Sequence, residues 1–491
     1  MTHAVLDTDL VLEQVSQAWD QDIVKQLSEY VRIPAKSPAF DANWAAHGHL
    51  ETVLRDAAVW VESQKVEGLK LEVIRLEGRT PVLFFEVAAS SGANQQKPSA
   101  QTVLLYGHLD KQPEFTGWRA DLGPWTPKYE DGKLYGRGSA DDGYAIYASI
   151  AAILALKSQK LAHPRIVGLI ETCEESGSFD LLPYVEALRA PGRDRLGDVG
   201  LVICLDSGAG NYDQLWLTTS LRGMAGGVLK VEVLTEGVHS GDASGLVPSS
   251  FRIMRQLLDR LEDSQTGRLL PELFHCDVPA ERLSQARTTA DILGKEIYQR
   301  FPWSHYDCEG ATAFALPTTT DPVQALLKRT WMPTLSVTGA QGFPDLMNAG
   351  NVLRPYSAFK LSLRLPPLVD AALAVQHLKR LLEDNAPYQA KVTFQCDGSA
   401  TGWNAPTTAT WFEQALNQAS IAQFGASCGY IGQGGTIPLM SLLSQGFPKA
   451  QMMVCGVLGP KSNAHGPNEF LHVPYAKKLT AAVAQVISQM P

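Results

Sequence analysis

Hydrophobic and polar positions alternate in blocks between residues 101 and 205. Short apolar runs of strand length, such as "TVLLYGH" at 102–108 and "GLVICLD" at 200–206, are separated by longer segments with helical spacing, such as "AIYASIAAILALK" from Ala145. Strands that alternate with helices favour an α/β domain with a mixed, largely parallel sheet. The same alternation returns after residue 397, in "TATWFEQALNQAS" and "QMMVCGVLG".

The pattern changes between residues 223 and 397. A strand, "GGVLKVEVL", is followed by a helix, two strands, a helix and the final strand "YQAKVTFQCDG". This β-α-β-β-α-β order is typical of a ferredoxin-like unit, although a segment from Ser264 to Pro333 interrupts it. A chain of 491 residues is long enough for two domains. We therefore expect a first domain of residues 1–222 and 398–491, with residues 223–397 inserted as a second domain.

Composition excludes several classes of partner. The net charge is −9, and Lys and Arg residues form no basic stripe, so we expect no nucleic-acid partner. The longest apolar run, Ala145–Leu156, is too short to span a bilayer and predicts a buried helix rather than membrane association. Seven cysteines without CxxC spacing indicate reduced thiols, and the N-terminus lacks the features of a secretory signal, so a cytoplasmic location is expected.

Side chains able to bind a metal follow several of the predicted strands. They are His108, the pair Glu174 and Glu175, Asp206 and, after "MMVCGV", His465. Ligands collect at the carboxyl ends of strands in open α/β sheets, so these residues can meet in one crevice. Each alone is weak evidence, and taken by itself the His108 and Asp110 pair is better explained by a buried histidine and an aspartate that caps a loop. As a set, imidazoles and carboxylates suit zinc or a similar divalent ion.

At this point the chain resembles the M20 metallopeptidases, and within them the branch of cytosolic nonspecific dipeptidases and carnosinases. The stretches that carry the resemblance are "GHLDKQP", "DGKLYGRGSADD", "ETCEESGS", "CLDSG", "LRG", "VHSG", "LSLRLP", "GGTIP" and "NAHGPNE". The fold that the resemblance implies is a zinc-peptidase-like catalytic domain with an inserted ferredoxin-like domain that serves as lid and dimerisation surface. A homodimer follows as the expected assembly.

The resemblance also implies a site for two divalent ions. Asp141 would bridge them, His108 and Asp206 would complete one side, and Glu175 and His465 the other. Zinc is the expected metal, with manganese or cobalt as alternatives. A hydroxide held between the ions would attack the amide carbon of a dipeptide or short peptide that has a free carboxylate.

Three further residues receive catalytic roles from the same resemblance. Glu174 would act as general base and acid, and Asp110 would orient the ring of His108. His239, from the inserted domain of the partner subunit, would donate to the oxygen that becomes negative during attack. From the residues alone, His239 is better explained as a histidine satisfied within its own loop, and the resemblance reverses that preference.

Four residues match the family's positions for substrate. Arg364 would pair with the substrate carboxylate, and Asn351, Gly435 and Thr436 would line the same pocket. Taken alone, Arg364 is better explained by a surface ion pair, and a plain turn explains the Gly434–Gly435 pair equally well. The alternatives to a dipeptidase are an N-acyl-amino-acid deacylase or carboxypeptidase of the same family, and a non-catalytic scaffold.

The chain departs from the family in the loop around the bridging acid. Gly143 stands where the family has a lysine, and Thr436 replaces a serine while keeping the hydroxyl. The Gly143 change puts substrate range or metal affinity in doubt. The resemblance further predicts a cis peptide bond between Asp141 and Asp142.

Overall fold

The computed structural model describes residues 6–92, 98–308, 311–435 and 438–491. The strands are β1 (Leu69–Ile74), β2 (Val82–Val87), β3 (Thr102–His108), β4 (Lys128–Glu130), β5 (Lys133–Tyr135), β6 (Arg165–Glu171), β7 (Val199–Cys204), β8 (Trp216–Leu221), β9 (Gly223–Glu232), β10 (Val238–His239), β11 (His305–Cys308), β12 (Ala311–Phe314), β13 (Thr334–Gln341), β14 (Val352–Leu353), β15 (Tyr356–Leu365), β16 (Lys391–Ala400), β17 (Trp403–Asn404), β18 (Gly429–Gln433), β19 (Gln451–Val454) and β20 (Phe470–His472).

The helices of these residues are α1 (Thr8–Ala18), α2 (Val24–Arg32), α3 (Trp44–His47), α4 (His49–Ser63), α5 (Ala145–Ser158), α6 (Leu181–Leu188), α7 (Ser240–Ala243), α8 (Ser250–Leu258), α9 (Ala280–Leu293), α10 (Glu296–Gln299), α11 (Pro322–Thr330), α12 (Ala371–Glu383), α13 (Thr410–Phe424), α14 (Pro438–Gly446) and α15 (Val473–Ser488). A turn of π-helix at Trp19–Ile23 joins α1 to α2. No helix in the described ranges is both long and apolar enough to cross a membrane.

The chain forms two compact units. The first contains residues Met1–Thr218, Ala405–Ile431 and Leu442–Pro491, and the second contains Thr219–Asn404 and Gly432–Ser441. The second unit thus takes a ten-residue piece, Gly432–Ser441, from the C-terminal part of the chain.

A mixed sheet in the order β1-β2-β6-β3-β7-β19 forms the centre of the first unit. Strands β6, β3, β7 and β19 are parallel, and β2 and β1 extend the sheet in antiparallel pairing. Every residue of β3 is buried, as expected for a strand covered on both faces. Helix α5 is apolar around most of its circumference and buried along almost its whole length, which is the behaviour of a core helix. The α/β class and the mixed sheet predicted from the sequence are confirmed.

The second unit contains an antiparallel sheet in the order β13-β15-β9-β16. Helices α8 and α12 bury Ile253, Leu257 and Leu378 in one hydrophobic core with residues of this sheet, among them Leu229 and Leu361. The segment between α8 and β13 is not an extended loop, because it contains α9, α10 and α11. Those helices share a small separate core of Ala290, Ile297 and Leu326.

Candidate metal centre

The candidate ligands of the first unit lie beyond the carboxyl ends of neighbouring parallel strands. His108 is the last residue of β3, Glu174 and Glu175 form a short 3₁₀ turn after β6, and Asp206 follows β7 by two residues. Asp141 lies in the loop before α5. Because β6, β3 and β7 are parallel neighbours, the chain emerges from all three at the same edge of the sheet.

The two histidines of the cluster share one carboxylate. His108 Nε2 lies 3.4 Å from Asp141 Oδ1 and 3.8 Å from Asp206 Oδ2. His465 Nε2 lies 2.9 Å from Asp141 Oδ2 and 3.3 Å from Glu175 Oε2. Asp141 therefore presents one oxygen to each histidine, with a second carboxylate beside each of them. This is the donor arrangement that a pair of ions bridged by Asp141 would require.

Glu174 belongs to the same cluster. Its carboxylate oxygen, a ring nitrogen of His108 and an oxygen of Asp206 all lie within 4.8 Å of one another, and His108, Asp141 and Glu175 form an overlapping group with the same spacing. Glu174 is therefore close enough to exchange a proton with a molecule held between these side chains.

Asp110 supports the cluster in two ways. Its backbone carbonyl oxygen lies 3.1 Å from His108 Nδ1, and its carboxylate oxygen Oδ1 lies 3.5 Å from the same nitrogen. The carboxylate also accepts hydrogen bonds from the backbone N–H groups of Glu174, at 3.1 Å, and Glu175, at 3.0 Å. One buried aspartate thus fixes the ring of His108 and the start of the turn that carries both glutamates.

The carboxyl groups of the cluster have shifted pKa values because they are buried close to one another. Burial, reinforced by the charge of Asp141, raises the pKa of Asp206 to about 7. Burial and the charge of Asp206 raise the pKa of Glu174, and burial and the charge of Asp141 raise that of Glu175. Carboxylates this close repel one another when ionised, so their ionised form needs added positive charge.

The histidines supply part of that charge. Burial disfavours protonation of His108, but its contacts with Asp110 and Asp141 outweigh burial and raise its pKa. Burial opposes ionisation of Asp141 also, but the two histidines outweigh it and lower the pKa of that carboxyl. The cluster is thus an unusually dense set of coupled charges, the kind found at functional sites.

The side chains present fit divalent metal ions. His108 Nε2 is buried and has no hydrogen-bond partner in the described part of the chain, while its other nitrogen faces Asp110. In the neutral ring, that arrangement leaves a lone pair on Nε2 directed toward the carboxylates, as in histidines that bind metals. Imidazole nitrogens and carboxylate oxygens together are typical zinc or manganese ligands.

A buried ion pair that sequence reasoning missed connects two loops of the site. Arg137 Nη1 donates to a carboxylate oxygen of Glu469, whose other oxygen accepts from the backbone N–H of Gly138 at 2.9 Å. Arg137 Nη2 donates to the carbonyl oxygens of His465 and Gly466, both at 3.0 Å. Arg137 therefore ties the loop of His465 to the loop of Asp141.

Two other residues that sequence reasoning missed, Tyr30 and Lys111, lie next to Gly143. A Cβ atom on Gly143 would lie 2.1 Å from Cε1 of Tyr30, so Tyr30 occupies the space of a side chain there. Lys111 Nζ lies 3.8 Å from the centre of the Tyr30 ring and donates to the carbonyl oxygens of Tyr30, at 2.7 Å, and Ile33, at 2.8 Å. Lys111 thus holds the C-terminal end of α2 against this region.

Asp142 and Gln112 complete the surroundings of the ligands. The peptide bond between Asp141 and Asp142 is cis, as predicted. Both carboxylate oxygens of Asp142 are buried without a hydrogen-bond partner among the described residues. Gln112 Nε2 donates to Glu175 Oε2 at 2.6 Å, so "GHLDKQP" orients a glutamate as well as His108.

The predicted substrate residues and His239 belong to the second unit. His239 and Asn351 are both exposed. They lie close together, because the backbone N–H of Ser240 donates to the carbonyl oxygen of Asn351 at 2.9 Å. Arg364 lies on β15, and Gly435 is exposed. Thr436 lies outside the described residues.

Comparisons with known proteins show similarity to peptidases. Residues 104–489 match the model of peptidase family M20/M25/M40. The chain is 27% identical over 441 residues to the cysteinylglycine-S-conjugate dipeptidase of Corynebacterium striatum, covering 86% of this chain and 88% of that protein. It is 26% identical over 382 residues to the β-Ala-His dipeptidase of Homo sapiens, covering 76% and 70%.

Solved structures show the same fold. The crystal structure of human carnosine dipeptidase 1 superposes with a TM-score of 0.72 at 22% identity, covering 98% of this chain and 100% of that one. The dipeptidase Dug1p of Saccharomyces cerevisiae gives a TM-score of 0.71 at 20% identity, covering 99% of each chain. The range that matches the family model, residues 104–489, covers most of the chain and contains the positions of all five candidate ligands. This chain belongs to peptidase family M20/M25/M40.

Proposed function

We propose that this protein is a dipeptidase that hydrolyses the peptide bond of dipeptides or short peptides with a free carboxylate. The observation that carries the proposal is Asp141 shared between His108 and His465, with Asp206 and Glu175 beside them. The relatives from Corynebacterium striatum and Homo sapiens, both described as dipeptidases, support the choice of substrate.

The proposed metal ligands are His108, Asp141, Glu175, Asp206 and His465. We propose two divalent ions, zinc in the first place with manganese or cobalt as alternatives. Ions of this kind polarise a substrate carbonyl and lower the pKa of water. Asp110 and Arg137 hold the ligands in place through the hydrogen bonds described above.

Glu174 is the proposed general base and acid. Its raised pKa, caused by burial and the charge of Asp206, suits a group that takes a proton from water and returns it to the leaving nitrogen. The backbone N–H of Glu174 donates a hydrogen bond to Asp110, which fixes the backbone position from which the Glu174 side chain extends.

Residues 223–397 are the proposed inserted domain, with a ferredoxin-like arrangement that acts as lid and dimerisation surface. The order β13-β15-β9-β16 with helices α8 and α12 supports this arrangement. We assign Arg364 to the substrate carboxylate, with Asn351, Gly435 and Thr436 as further contacts, and His239 to the active site of the partner subunit. Residues 1–222 and 398–491 are the catalytic domain.

A cytoplasmic location is part of the proposal. The cysteines Cys173, Cys204, Cys276, Cys396, Cys428 and Cys455 are free thiols. Reduced cysteines are typical of proteins from reducing compartments.

The test compares two substrate panels on protein loaded with zinc, manganese or cobalt. One panel contains free dipeptides, including Cys-Gly and β-Ala-His, and the other N-acetyl amino acids and longer peptides. A dipeptidase releases two amino acids from the first panel at least tenfold faster, as kcat/KM, than acetate or C-terminal residues from the second. Faster turnover of the second panel would support the deacylase or carboxypeptidase alternative, and no turnover of either with metal bound would support a scaffold.

A further inference from the structure

A loop of residues 111–119, the rim loop, lies beside the candidate ligands of the first unit. Near its start, Gln112 Nε2 donates to Glu175 Oε2 at 2.6 Å. Arg137 Nε donates to a backbone carbonyl oxygen of the rim loop at 3.2 Å, and Arg137 Nη2 donates to the carbonyl oxygen of His465 at 3.0 Å. The rim loop is thus bonded, directly or through Arg137, to the two residues proposed to complete one side of the metal site.

Phe115 is the central observation in this loop. It is 52% exposed, although phenylalanine is among the residues most often buried. Its backbone φ of 49° lies in the left-handed region, which bulky residues rarely adopt. The guanidinium carbon of Arg137 lies 5.9 Å from the centre of the Phe115 ring and 5.7 Å from that of the Trp118 ring, whose N–H donates to the carbonyl oxygen of Glu114 at 2.8 Å. A strained residue on a well-bonded loop therefore presents an apolar ring to solvent, and such strain clusters at functional sites.

A second loop, residues 36–40, lies against the 3₁₀ turn that follows β6 and carries the proposed general base. The hydroxyl groups of Ser37 and Ser176 share a hydrogen bond of 2.5 Å, and the backbone N–H of Ala39 donates to Ser176 Oγ at 2.9 Å. Phe40 follows directly and is 39% exposed. This loop therefore also presents a phenylalanine beside an element of the metal site.

The two loops are bonded to each other. The backbone N–H of Ser37 donates to the carbonyl oxygen of Lys111 at 2.9 Å, and Lys36 Nζ pairs with Glu114 Oε1 at 3.1 Å. The opposite charges of that ion pair offset each other. The two exposed phenylalanines thus belong to neighbouring, interlinked loops, and exposed apolar surface beside convergent polar groups is typical of a ligand site.

We propose that Phe115, together with Phe40, binds the side chain of the amino-terminal residue of the dipeptide and selects substrates in which that residue is large and apolar, such as leucine, methionine or phenylalanine. This inference rests on the dipeptidase proposal. The carbonyl group attacked in the reaction belongs to the amino-terminal residue, whose side chain begins at the atom bonded to the carbonyl carbon. The side chain of the other residue begins beyond the leaving nitrogen, and the carboxylate of that residue is assigned to Arg364. The first of these side chains is therefore the one held nearer to the metal site and its bordering loops.

Hydrolysis of the isomers Leu-Gly and Gly-Leu, with Gly-Gly as reference, tests this assignment on the metal-loaded full chain. We expect the wild type to have a kcat/KM at least about tenfold higher for Leu-Gly than for Gly-Gly. Phe115→Ala should lower kcat/KM for Leu-Gly by about tenfold, mainly through a higher KM, because it removes an apolar contact made in both ground and transition states. The values for Gly-Leu and Gly-Gly should stay within about threefold of the wild type. Phe115→Leu keeps an apolar side chain and should recover most of the activity on Leu-Gly.

Two controls separate binding of substrate from an indirect effect. Tyr129→Ala removes an aromatic side chain of β4 that is 51% exposed, and it should leave all three substrates unchanged. Elemental analysis of Phe115→Ala should show the metal content of the wild type. An equal loss of activity on all three dipeptides, with less bound metal, would mean that Phe115 acts by positioning Arg137 and would overturn the assignment.

The remaining outcomes distinguish this inference from the dipeptidase proposal. No hydrolysis of any dipeptide by the metal-loaded wild type would reject both. Hydrolysis without a preference for Leu-Gly over Gly-Gly, or an equal loss for Leu-Gly and Gly-Leu in Phe115→Ala, would reject the role of Phe115 and leave the dipeptidase proposal standing. If Phe115→Ala does not fold, the wild-type preference and Phe40→Ala decide the question, because Phe40→Ala should also lower kcat/KM for Leu-Gly more than for Gly-Leu, and an equal effect on both would overturn the proposal.

Discussion

His108 shows how its neighbours select the tautomer of one side chain. Its Nδ1 atom lies 3.1 Å from the carbonyl oxygen of Asp110, which can only accept a hydrogen bond, so Nδ1 carries the proton in the neutral ring. The lone pair then resides on Nε2, which faces Asp141 and Asp206. The ring is therefore oriented for a cation before any cation binds.

Glu174 is the proposed general base and Glu175 a proposed metal ligand, and replacing each in turn tests these different roles. Glu174→Gln keeps the size of the side chain and removes its ability to take up a proton, so kcat should fall at least about a hundredfold while two ions remain bound. Elemental analysis and dipeptide hydrolysis on the same sample measure both quantities. Glu175→Gln is the matched control and should lose metal. Loss of metal from Glu174→Gln would contradict the assignment of Glu174 as base.

Sequence reasoning reached the candidate ligands because each motif places its residue close to a predicted strand or a glycine-rich loop. It did not predict the hydrogen bonds that the backbone N–H groups of Glu174 and Glu175 donate to the Asp110 carboxylate, because 64 and 65 residues separate the partners. Nor did it find Arg137 and Glu469, which are 332 residues apart and carry no motif of their own. Contacts between distant loops depend on how the elements pack, and a single sequence does not encode that in local spacing.

At the scale of elements, the ion pair of Arg137 and Glu469 connects two loops that carry the candidate ligands Asp141 and His465. Both side chains are almost completely buried. Buried ion pairs cost desolvation energy, but breaking one partner leaves an uncompensated charge. We therefore expect the free energy of unfolding to fall most when only one member of the pair is replaced.

A double-mutant cycle tests this coupling. Arg137→Met and Glu469→Gln should each lower the free energy of unfolding by about 3–5 kcal/mol, because each leaves the other group buried without its partner. The double variant should be destabilised by less than the sum of the two singles. Urea unfolding of all four proteins measures the cycle. Additive effects would show that the two groups do not depend on each other.

The sequence predicted the strands of the first unit better than it predicted the helices of the second unit. The apolar runs at β3, β6 and β7 predicted the strands of the first unit correctly because buried parallel strands are nearly continuous in hydrophobicity. The segment from Ser264 to Pro333 was harder to interpret, and its helices α9, α10 and α11 were missed. Helix α9 has few apolar residues and only three buried ones, so its periodic signal is weak.

At the scale of the whole molecule, the concentration of acids in the first unit leads us to expect a free energy of unfolding that depends on pH and on bound metal. The pKa of Asp206 is raised to about 7 by burial and Asp141, and that of Glu469 to about 7 by burial, with Asp141 adding to the rise and Arg137 opposing it. The pKa values of Glu174 and Glu175 are raised as well. A carboxyl group in an unfolded chain has a pKa of about 4. Between about pH 4 and pH 7, the folded chain therefore binds more protons than the unfolded chain.

It follows that metal-free protein should lose stability as pH rises from 5 to 8. The raised pKa values of His108 and His465 act in the same direction, since their contacts with acids are strongest when the rings are protonated. Zinc should oppose the loss, because it binds the ionised carboxylates more tightly at higher pH. Thermal unfolding across this range, with chelator and with zinc, measures the effect. A metal-free Tm that rises toward pH 8 would contradict it.

The proposed dimer gives the last prediction, which concerns His239. This residue is exposed on the second unit, and its strand β10 pairs with β14, which directly follows Asn351. If His239 completes the active site of the partner subunit, His239→Ala should lower kcat strongly while metal content and dimerisation stay intact. A mixed dimer of one His239→Ala subunit and one Glu174→Gln subunit then keeps one complete site, because the subunit that retains Glu174 receives an intact His239 from its partner. We expect each parent variant to be nearly inactive and the purified mixed dimer to recover dipeptide hydrolysis. A mixed dimer as inactive as its parents would place His239 at its own subunit's site, and a monomer in sedimentation would contradict the dimer itself.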